Sequence, residues 1–330
     1  MITVDVASAF DADAIAEVVN EVWHNQYPEE KKLVLWPPSF FDWQFLKVPP
    51  SHPAVCLGAR VEGELVGIFC ADIWPVLLPN GDTDHVSFLS CVSVKPIRAR
   101  YHVSAALLQA AQHWSEQHGA RQFFGYVNPA ESDLAGRRYW TSRKGFHHAF
   151  VGGSRQWYLS APMTDAAPLD TTAGSPPSLT LVAQTLLRDR RDRAARTRAA
   201  SLVWTEARLV HHLEFDGIAS SSAVITDDAY AICSFYALPQ KNGASVGYID
   251  FLAASSPQHP LAGQALSDAV WRLRAKGCSR IFSTGEPGND DKLLQTLGFV
   301  PCFPSYAPMV AGWGGALGFD QHTKISAFYR

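Results

Sequence analysis

The chain has 330 residues, of which 47% are hydrophobic and 18% are charged, and its formal net charge is −3. This length favours two domains with a hydrophobic core in each, and this composition excludes a disordered chain or a disulfide-stapled miniprotein. Neither half carries the excess of Lys and Arg that nucleic-acid binding requires, and no apolar stretch approaches the roughly 20 residues of a membrane span.

The residue pattern of the first half alternates between the periods of strands and helices. Asp11 or Asp13 caps the first helix, and Gly119 ends the second. The predicted elements are a strand over 2–6, a helix over 15–23, an aromatic and proline-rich stretch over 27–53, a strand meander over 55–61, 65–73 and 86–94, a helix over 103–114, a strand over 122–127, a short helix over 133–142 and a strand pair over 145–159. This order predicts a mixed α+β sheet with one parallel connection.

A composition break over residues 161–178, rich in Pro, Ala, Thr and Gly, predicts a linker. The helix that follows, from Leu181 to about Val203, carries six arginines interleaved with Asp189 and Asp192. This mixture of charges favours a solvated interdomain helix over a phosphate or nucleic-acid site. The remaining predicted elements are strands over 222–225, 230–237 and 246–252, a helix over 262–276 and a strand over 280–283.

An internal repeat relates the two halves. In each half a leucine precedes, by 11 residues, a glycine that ends a helix and begins a strand. The matching features are Leu108 with Leu266, Gly119 with Gly277, residues 90–94 with 248–252, and Lys144-Gly-Phe146 with Leu297-Gly-Phe299. One duplicated unit explains these matches. We therefore predict a domain over 1–160, a linker over 161–178 and a second domain over 179–330.

Six cysteines stand singly within apolar runs, without the C-x-x-C spacing of a zinc site or the pattern of a disulfide framework. The N-terminus is acidic where a signal peptide would be basic. These features predict reduced, buried thiols in a cytoplasmic protein that has no metal and neither a membrane nor a nucleic acid as partner.

Four segments of the first half have a distinctive order and spacing: the hairpin 62–67, the passage from Val92-Ser-Val-Lys-Pro96 through Ala106-Leu-Leu108, the strand end Tyr126-Val-Asn-Pro129, and Lys144-Gly-Phe146. In these segments the chain resembles the GNAT acetyltransferase superfamily, in its tandem two-domain form. The resemblance implies an α+β fold of two tandem GNAT-like mixed sheets flanked by helices. It also implies an acyltransferase whose donor is acetyl-CoA or another acyl-CoA and whose acceptor is the amine of a small molecule.

The resemblance further implies that the loop after the fourth strand holds the coenzyme A diphosphate on the N-terminus of the next helix. The residues that it assigns to the cofactor are Val92, Ser93, Val94, Arg98, Arg100, Tyr101, His102, Val103, Ser104 and, at the next strand end, Asn128. The loop departs from the family pattern, because Ala99 replaces an Arg or Gln and His102 and Ser104 replace glycines. Arg98 and Arg100 are expected to supply the positive charge instead.

The repeat places Ser256, Gln258, Pro260 and Ala262 opposite Arg98, Arg100, His102 and Ser104. The second loop therefore has no cation, and its proline removes an N–H donor. We expect acyl-CoA in the first half and regard the second half as a degenerate copy.

Acyl transfer needs a deprotonated amine, a polarised thioester carbonyl and a proton for the departing thiolate. Thr141 stands where the family often has a tyrosine acid, and Tyr139 lies two residues earlier, either as an alternative acid or as a structural tyrosine. His85 beside Asp84 is a candidate base or an ordinary loop residue. Neither His147-His148 nor His211-His212 is expected to chelate a metal, because adjacent side chains on a strand point to opposite faces.

Aromatic side chains are concentrated in the segment that covers the acceptor site in proteins of this kind. Tyr27, Trp36, Phe41 and Trp43 are predicted either to line an acceptor pocket or to form core under a long loop. Two other functions stay open at this stage. One is a GNAT-like decarboxylating or loading acyltransferase that acts on an acyl carrier protein, and the other is a catalytically inactive GNAT-fold binding protein.

Overall fold

The computed structural model describes residues 1–6, 12–26, 34–127, 146–150, 155–160, 167–169, 176–215, 217–256, 259–285, 294–295 and 298–313. The strands are β1 (Ile2–Val6), β2 (Ala54–Val61), β3 (Glu64–Leu77), β4 (Thr83–Val94), β5 (Gln122–Val127), β6 (Phe146–Phe150), β7 (Arg155–Ser160), β8 (Ser201–Leu202), β9 (Ala219–Ile225), β10 (Tyr230–Pro239), β11 (Ser245–Ala254), β12 (Cys278–Gly285) and β13 (Phe299–Trp313). The helices are α1 (Ala12–Gln26), α2 (Pro38–Phe41) with a π-helical turn (Asp42–Leu46), α3 (Arg100–Gln117), α4 (Leu179–Thr197), α5 (Glu206–Leu213) and α6 (Pro260–Ala275).

Two mixed sheets organise the molecule. The first has the order β1-β2-β3-β4-β5, with antiparallel pairs up to β4 and a parallel β4–β5 pair. The second has the order β9-β10-β11-β12, again antiparallel up to a parallel pair, β11–β12. A helix joins the two parallel strands in each sheet, α3 in the first and α6 in the second. The predicted α+β class, with two tandem mixed sheets flanked by helices, is confirmed.

The two halves exchange strands through β7 and β13. The C-terminal part of β13, residues 307–313, lies between β5 and β6 of the first half. Its N-terminal part, beginning at Phe299, pairs with β7, and β7 in turn pairs with β12 of the second half. Each sheet is therefore extended by a strand from the other half. The linker over 161–178 stays a prediction. Strand pairing crosses this segment in both directions, because β7 before it pairs with β12 after it, and β13 after it pairs with β5 before it.

Helices cover both faces of the first sheet. On one face α3 approaches β3 so closely that a Cβ on Gly67 would lie 3.0 Å from side-chain carbons of Val103 and Leu107. On the other face α1 and α2 pack against β2 and β3. Helices α4 and α5 lie between the sheets, where Leu186 and Leu209 belong to a core shared with strands of both halves. The core beside α6 closes the far side of the second sheet.

Some predicted elements have different limits. Helix α4 ends at Thr197 and not near Val203, because Arg198 adopts the left-handed conformation (φ +48°) that ends many helices. The chain then pairs briefly with β3 as β8 and enters α5. The His211-His212 pair lies on this helix and not on a strand as predicted. The predicted helix over 133–142 lies outside the described residues.

Candidate functional site

Strands β4 and β5 pair over only a short distance in the described part of the chain. Their registered pairs are Ser87 with Phe123 and Phe88 with Phe124. Beyond them β4 continues along β3 to Val94, whereas β5 continues along β13. Leu89 still lies against Gly125, since a Cβ on Gly125 would be 3.9 Å from Leu89 Cβ. Beyond this contact the two parallel strands have no registered pair, and the opening lies between residues 90–94 of β4 and residues 126–127 of β5.

A β-bulge interrupts β4 beside this opening. Ile68 and Cys70 of β3 pair with Ser93 and Ser90, so the pairing has two residues of β4, Cys91 and Val92, opposite a single residue of β3. Cys91 has a φ of +52°, which L side chains seldom adopt. A bulge turns backbone groups out of the ladder, so it can present an N–H to a carbonyl oxygen that enters the opening.

The N-terminus of α3 follows the end of β4 after a five-residue connection. Its N-cap residue, Ala99, provides no side-chain hydrogen bond, although the Arg100 N–H donates to the Ile97 carbonyl over 3.0 Å. The N–H groups that follow it in the first turn point towards the end of the helix, where an anion is favoured. Arg98, Arg100 and His102 are exposed around this turn. The Ser104 hydroxyl donates back to the carbonyl of Arg100 over 2.9 Å. This helix end combines exposed cations with N–H groups that no side chain caps.

Acidic neighbours hold the lysine of the same connection. Lys95 Nζ lies 3.0 Å from Glu21 Oε2 and 3.1 Å from Glu64 Oε1. Burial lowers the pKa of Lys95, but the two carboxylates outweigh that effect and raise it above its ordinary value. Lys95 therefore ties α1 and the β2–β3 hairpin to β4, whereas the side chains of Arg98 and Arg100 are exposed.

The second half keeps the bulge but differs around it. The β10–β11 register shifts so that Asp250 is the extra residue, which is the repeat equivalent of Val92. Strands β11 and β12 pair over five registered positions, from Ser245 to Ile249. The N-terminus of α6 is capped by His259, whose ring nitrogen accepts the Leu261 N–H over 3.3 Å, and its first residue is Pro260. The second half thus has a longer parallel strand pair than the first half, and the N-terminus of its helix α6 is capped by the His259 side chain.

The structure places the residues of the predicted cofactor segment in different environments. Val92 is exposed at the bulge (37%), as is Tyr101 at the helix start (75%). Ser93 is buried and accepts a 2.9 Å hydrogen bond from Trp23 Nε1, which fixes α1 to β4. Val94 and Val103 belong to the core between β4 and α3. The predicted residues Tyr27, Asn128, Tyr139 and Thr141 lie outside the described residues.

His85 lies far from the bulge. It precedes Cys91 by six residues on β4, which corresponds to roughly 20 Å at about 3.3 Å per residue. Its backbone N–H donates to Asp84 Oδ1 over 2.7 Å, and the other oxygen of Asp84 accepts from the Gln122 side chain. The structure therefore does not bring the His85 ring and the bulge together.

The three described aromatic candidates occupy different places. Trp36 is half-buried and packs against Trp23, with 5.2 Å between the ring centroids. Phe41 is fully buried in the core between α1 and the first sheet. Trp43 is buried between the halves, where its ring lies 4.9 Å from His212 and 5.3 Å from Tyr236. Only Trp36 retains an accessible surface on the α1 side.

A buried charged cluster between the halves was not predicted. Asp72 is fully buried on β3; its Oδ2 lies 3.0 Å from His52 Nε2, accepts from Trp74 Nε1 over 2.8 Å and lies 3.9 Å from Arg208 Nη2 of α5. Arg208 Nη2 also donates to the Gln44 carbonyl over 3.4 Å. The sequence indicates this cluster only through one aspartate, Asp72, within the apolar run 68–74. The partners of Asp72 come from distant parts of the sequence.

The two histidines of α5 continue this cluster. His212 Nε2 lies 3.2 Å from Asp250 Oδ2, and both side chains are buried. The His211 ring donates to the Trp43 carbonyl over 2.7 Å, and Trp43 Nε1 donates to the His211 carbonyl over 3.3 Å. The pKa of His211 is lowered, chiefly by burial and further by the positive charges of Arg208 and His52, although its bond to Trp43 opposes the shift.

This shift predicts a stability that depends on pH. Because the folded His211 binds a proton less readily than the unfolded residue, the unfolded chain takes up more protons as the pH falls through about 6.5. The free energy of unfolding should therefore decrease on acidification from about pH 7.5 to about pH 5.5. His211→Gln should make this decrease shallower, and His113→Gln, at an exposed position of α3, should not. Urea titrations at each pH measure the slopes, and equal slopes in all three proteins would contradict the assignment.

Among the described helices, none has the length and hydrophobicity that crossing a bilayer requires. Within the same described residues, no group of three or more His, Cys, Asp or Glu side chains is arranged to hold a metal ion.

Comparisons with known proteins bear on this geometry. Residues 13–146 match the family model described as "Acetyltransferase (GNAT) family". No curated protein matches the sequence. The fold is similar to that of a tandem GNAT protein from the clavulanic acid biosynthesis pathway, with 17% identity, a TM-score of 0.64 and coverage of 96% of this chain and 100% of that one. It is also similar to Saccharomyces cerevisiae N-myristoyltransferase with bound myristoyl-CoA, with 14% identity, a TM-score of 0.63 and coverage of 95% and 83%.

A third similar structure is a GCN5-related N-acetyltransferase from Kribbella flavida, with 15% identity, a TM-score of 0.52 and coverage of 94% of this chain and 71% of that one. At these identities the similarity establishes the fold, and the family match establishes the superfamily of the first half. The chain therefore carries a domain of the GNAT acetyltransferase family over residues 13–146, within a fold of the tandem GNAT type.

Proposed function

We propose that the protein transfers an acetyl or other short acyl group from coenzyme A to the amine of a small molecule, and that the first half binds the donor. The observation that carries this proposal is the opening between β4 and β5, with the bulge at Cys91 on one side and the uncapped start of α3 beyond it. The bulge and the start of α3 follow one another along the chain, in the order that a thioester and a diphosphate would need, and β5 forms the other side of the opening.

The diphosphate would lie at the first turn of α3, where N–H groups and the positive end of the helix dipole favour an anion. Arg98 and Arg100 would add charge-assisted hydrogen bonds, and the exposed surfaces of Val92 and Tyr101 would contact apolar parts of the coenzyme. A backbone N–H at the bulge would donate a hydrogen bond to the thioester carbonyl and polarise it. This hydrogen bond would be stronger in the transition state, because the carbonyl oxygen gains negative charge there.

The remaining cofactor and catalytic assignments follow the resemblance. Asn128 would hold the pantetheine arm or a water at the end of β5, and Tyr139 or Thr141 would protonate the departing thiolate. His85 would act as the base on an acceptor that extends along β4, because the His85 position lies about 20 Å along the strand from the bulge. Residues 1–160 would form the donor domain, and residues 179–330 would contribute one wall of the acceptor site.

Packing on the α1 side of the first sheet supports a short acyl group. Phe41 and Phe45 are buried against Ile68 and Cys70 beneath the bulge, and α1 covers them. The described core at this point is filled by aromatic and aliphatic side chains, and a long acyl chain would have to displace them at a cost in packing energy. Titration with acetyl-CoA, hexanoyl-CoA and myristoyl-CoA should therefore give no gain in affinity for the longest chain.

The donor site can be tested by removing its two exposed cations. In the Arg98→Ala/Arg100→Ala protein we expect acetyl-CoA affinity to fall by about 10- to 100-fold, since each charge-assisted contact with the diphosphate is lost. Isothermal titration calorimetry measures the effect. The Arg191→Ala/Arg196→Ala protein is the matched control, because it loses the same charge at exposed positions of α4. Equal affinity in both double variants would refute the location at α3.

A further inference from the structure

Three cysteines from neighbouring strands meet beside the bulge. Cys56 of β2 and Cys70 of β3 are registered partners, and the Cys70 thiol donates to Cys56 Sγ over 3.3 Å. The Cys91 thiol of β4 makes a hydrogen bond with Cys70 as well. None of the three forms a disulfide in the structure. We refer to Cys56, Cys70 and Cys91 as the thiol cluster.

The members of the thiol cluster differ in their access to solvent. Cys56 is 1% exposed and Cys70 is fully buried, whereas Cys91 is partly exposed. Burial, together with the neighbouring thiols, raises the pKa of Cys70 well above its usual range, so Cys70 rarely forms the reactive thiolate by itself. A soluble oxidant therefore meets Cys91 first.

The arrangement of the strands suits a disulfide. Registered residues on antiparallel strands have Cα atoms about 4.5–5.5 Å apart, which lies within the range of disulfide-bonded cysteines. Cys56 and Cys70 already have their sulfur atoms in contact, so side-chain rotation is sufficient to bring them to bonding distance. Cys233, which is fully buried on β10, and Cys278 make no such sulfur contact among the described residues, so the second half provides an internal comparison.

We propose that the thiol cluster is a modification site for peroxide, in which Cys91 is oxidised first and the bond finally closes between Cys56 and Cys70. The Cys91 thiolate attacks a peroxide oxygen, the O–O bond breaks and hydroxide leaves, which produces a sulfenic acid. The Cys70 sulfur then attacks the Cys91 sulfur, the S–O bond breaks, and the proton of Cys70 leaves with the oxygen as water. Cys56 next attacks Cys70, the bond to Cys91 breaks, and the proton of Cys56 passes to Cys91.

This chemistry extends beyond acyl transfer, and it can be tested without any acyl-CoA. The full-length protein is treated with hydrogen peroxide, its remaining thiols are blocked with N-ethylmaleimide, and an unreduced digest is mapped by mass spectrometry. In the wild type we expect a Cys56–Cys70 bridge that dithiothreitol reverses. In Cys91→Ala this bridge should form at least tenfold more slowly, because the first thiol to react is missing.

The other variants separate the steps. Cys56→Ala should stop at a Cys70–Cys91 bridge, and Cys70→Ala should form no bridge and accumulate sulfenic acid on Cys91, which dimedone labels. Cys233→Ala should behave like the wild type. Cys91→Asn is the second variant at the bulge, because asparagine tolerates its left-handed backbone; thermal unfolding checks that each protein is folded. A Cys56–Cys70 bridge that forms at the wild-type rate without Cys91, or a wild type in which no Cys56–Cys70 bridge accumulates, would overturn the proposal.

Discussion

Replacing Asp72 with alanine is expected to lower the free energy of unfolding by about 3–5 kcal/mol. Its carboxylate is fully buried and is shared by His52, Trp74 and, at 3.9 Å, Arg208. Without it, two basic side chains that are at least 95% buried would lose their common negative partner while they remain out of water. The loss should act on both halves together, because Asp72 lies on β3 and Arg208 on α5.

Urea unfolding followed by circular dichroism and tryptophan fluorescence measures this effect. Asp72→Asn keeps the shape of the side chain and removes its charge, so it should also be destabilising. The loss from wild type to Asp72→Asn measures the charge, and the further loss in Asp72→Ala measures the side-chain packing and hydrogen bonds. Asp192→Ala is the control at an exposed position of α4 and should change stability by less than about 0.5 kcal/mol. If both Asp72 variants lost less than about 1 kcal/mol of unfolding free energy, the buried charged cluster would not hold the two halves together.

A proline at Val310 should disrupt the first half although it lies near the C-terminal end of the chain. Val310 of β13 is registered with Phe124 of β5 on one side and with Ala149 of β6 on the other. Proline removes the N–H from a strand that is paired on both sides, so a ladder carbonyl loses its donor, at a cost of roughly 1–3 kcal/mol. Since β5 borders the proposed donor opening, acetyl-CoA affinity should fall together with the thermal midpoint.

The same strand contains the control for this substitution. Val300 is 52% exposed, and in the described part of the chain this end of β13 pairs with β7 alone, with Leu159 as the registered partner of Val300 and Pro301 directly after it. Val300→Pro should have a much smaller effect on both the thermal midpoint and acetyl-CoA binding. Comparable losses in the two proteins, or unchanged binding in Val310→Pro, would contradict the functional dependence of the first half on β13.

Local features were predictable where neighbouring residues in the chain decide them. The glycine turn at Glu62-Gly63 lies between β2 and β3, and Gly119 follows α3 with a φ of +81°. The apolar period of α1 and the repeat between the halves were likewise visible in the sequence, because both depend on short-range spacing. The GNAT resemblance is confirmed by the family match over residues 13–146.

The difference between the two halves was predicted only in part. Pro260 and the lack of a cation in the second loop suggested a degenerate site, and the resemblance placed the donor loop before α3. The capping of α6 by His259 and the longer β11–β12 pairing depend on register and side-chain orientation, which no residue type in the loop specifies. His85 illustrates the opposite case, because an attractive His–Asp neighbour pair in sequence lies about 20 Å from the bulge.

The sequence by itself determined the α+β class with two repeated mixed sheets, the approximate positions of most of their helices and strands, and the family of the first half. Each of these results depends on hydrophobic period, turn residues and spacing within one segment. Only the tertiary structure decided the exchange of β7 and β13, the short β4–β5 pairing, the cluster around Asp72 and the contact of three thiols. These features join residues from 14 to more than 180 positions apart, and their energies come from packing and hydrogen bonds that arise when distant segments meet.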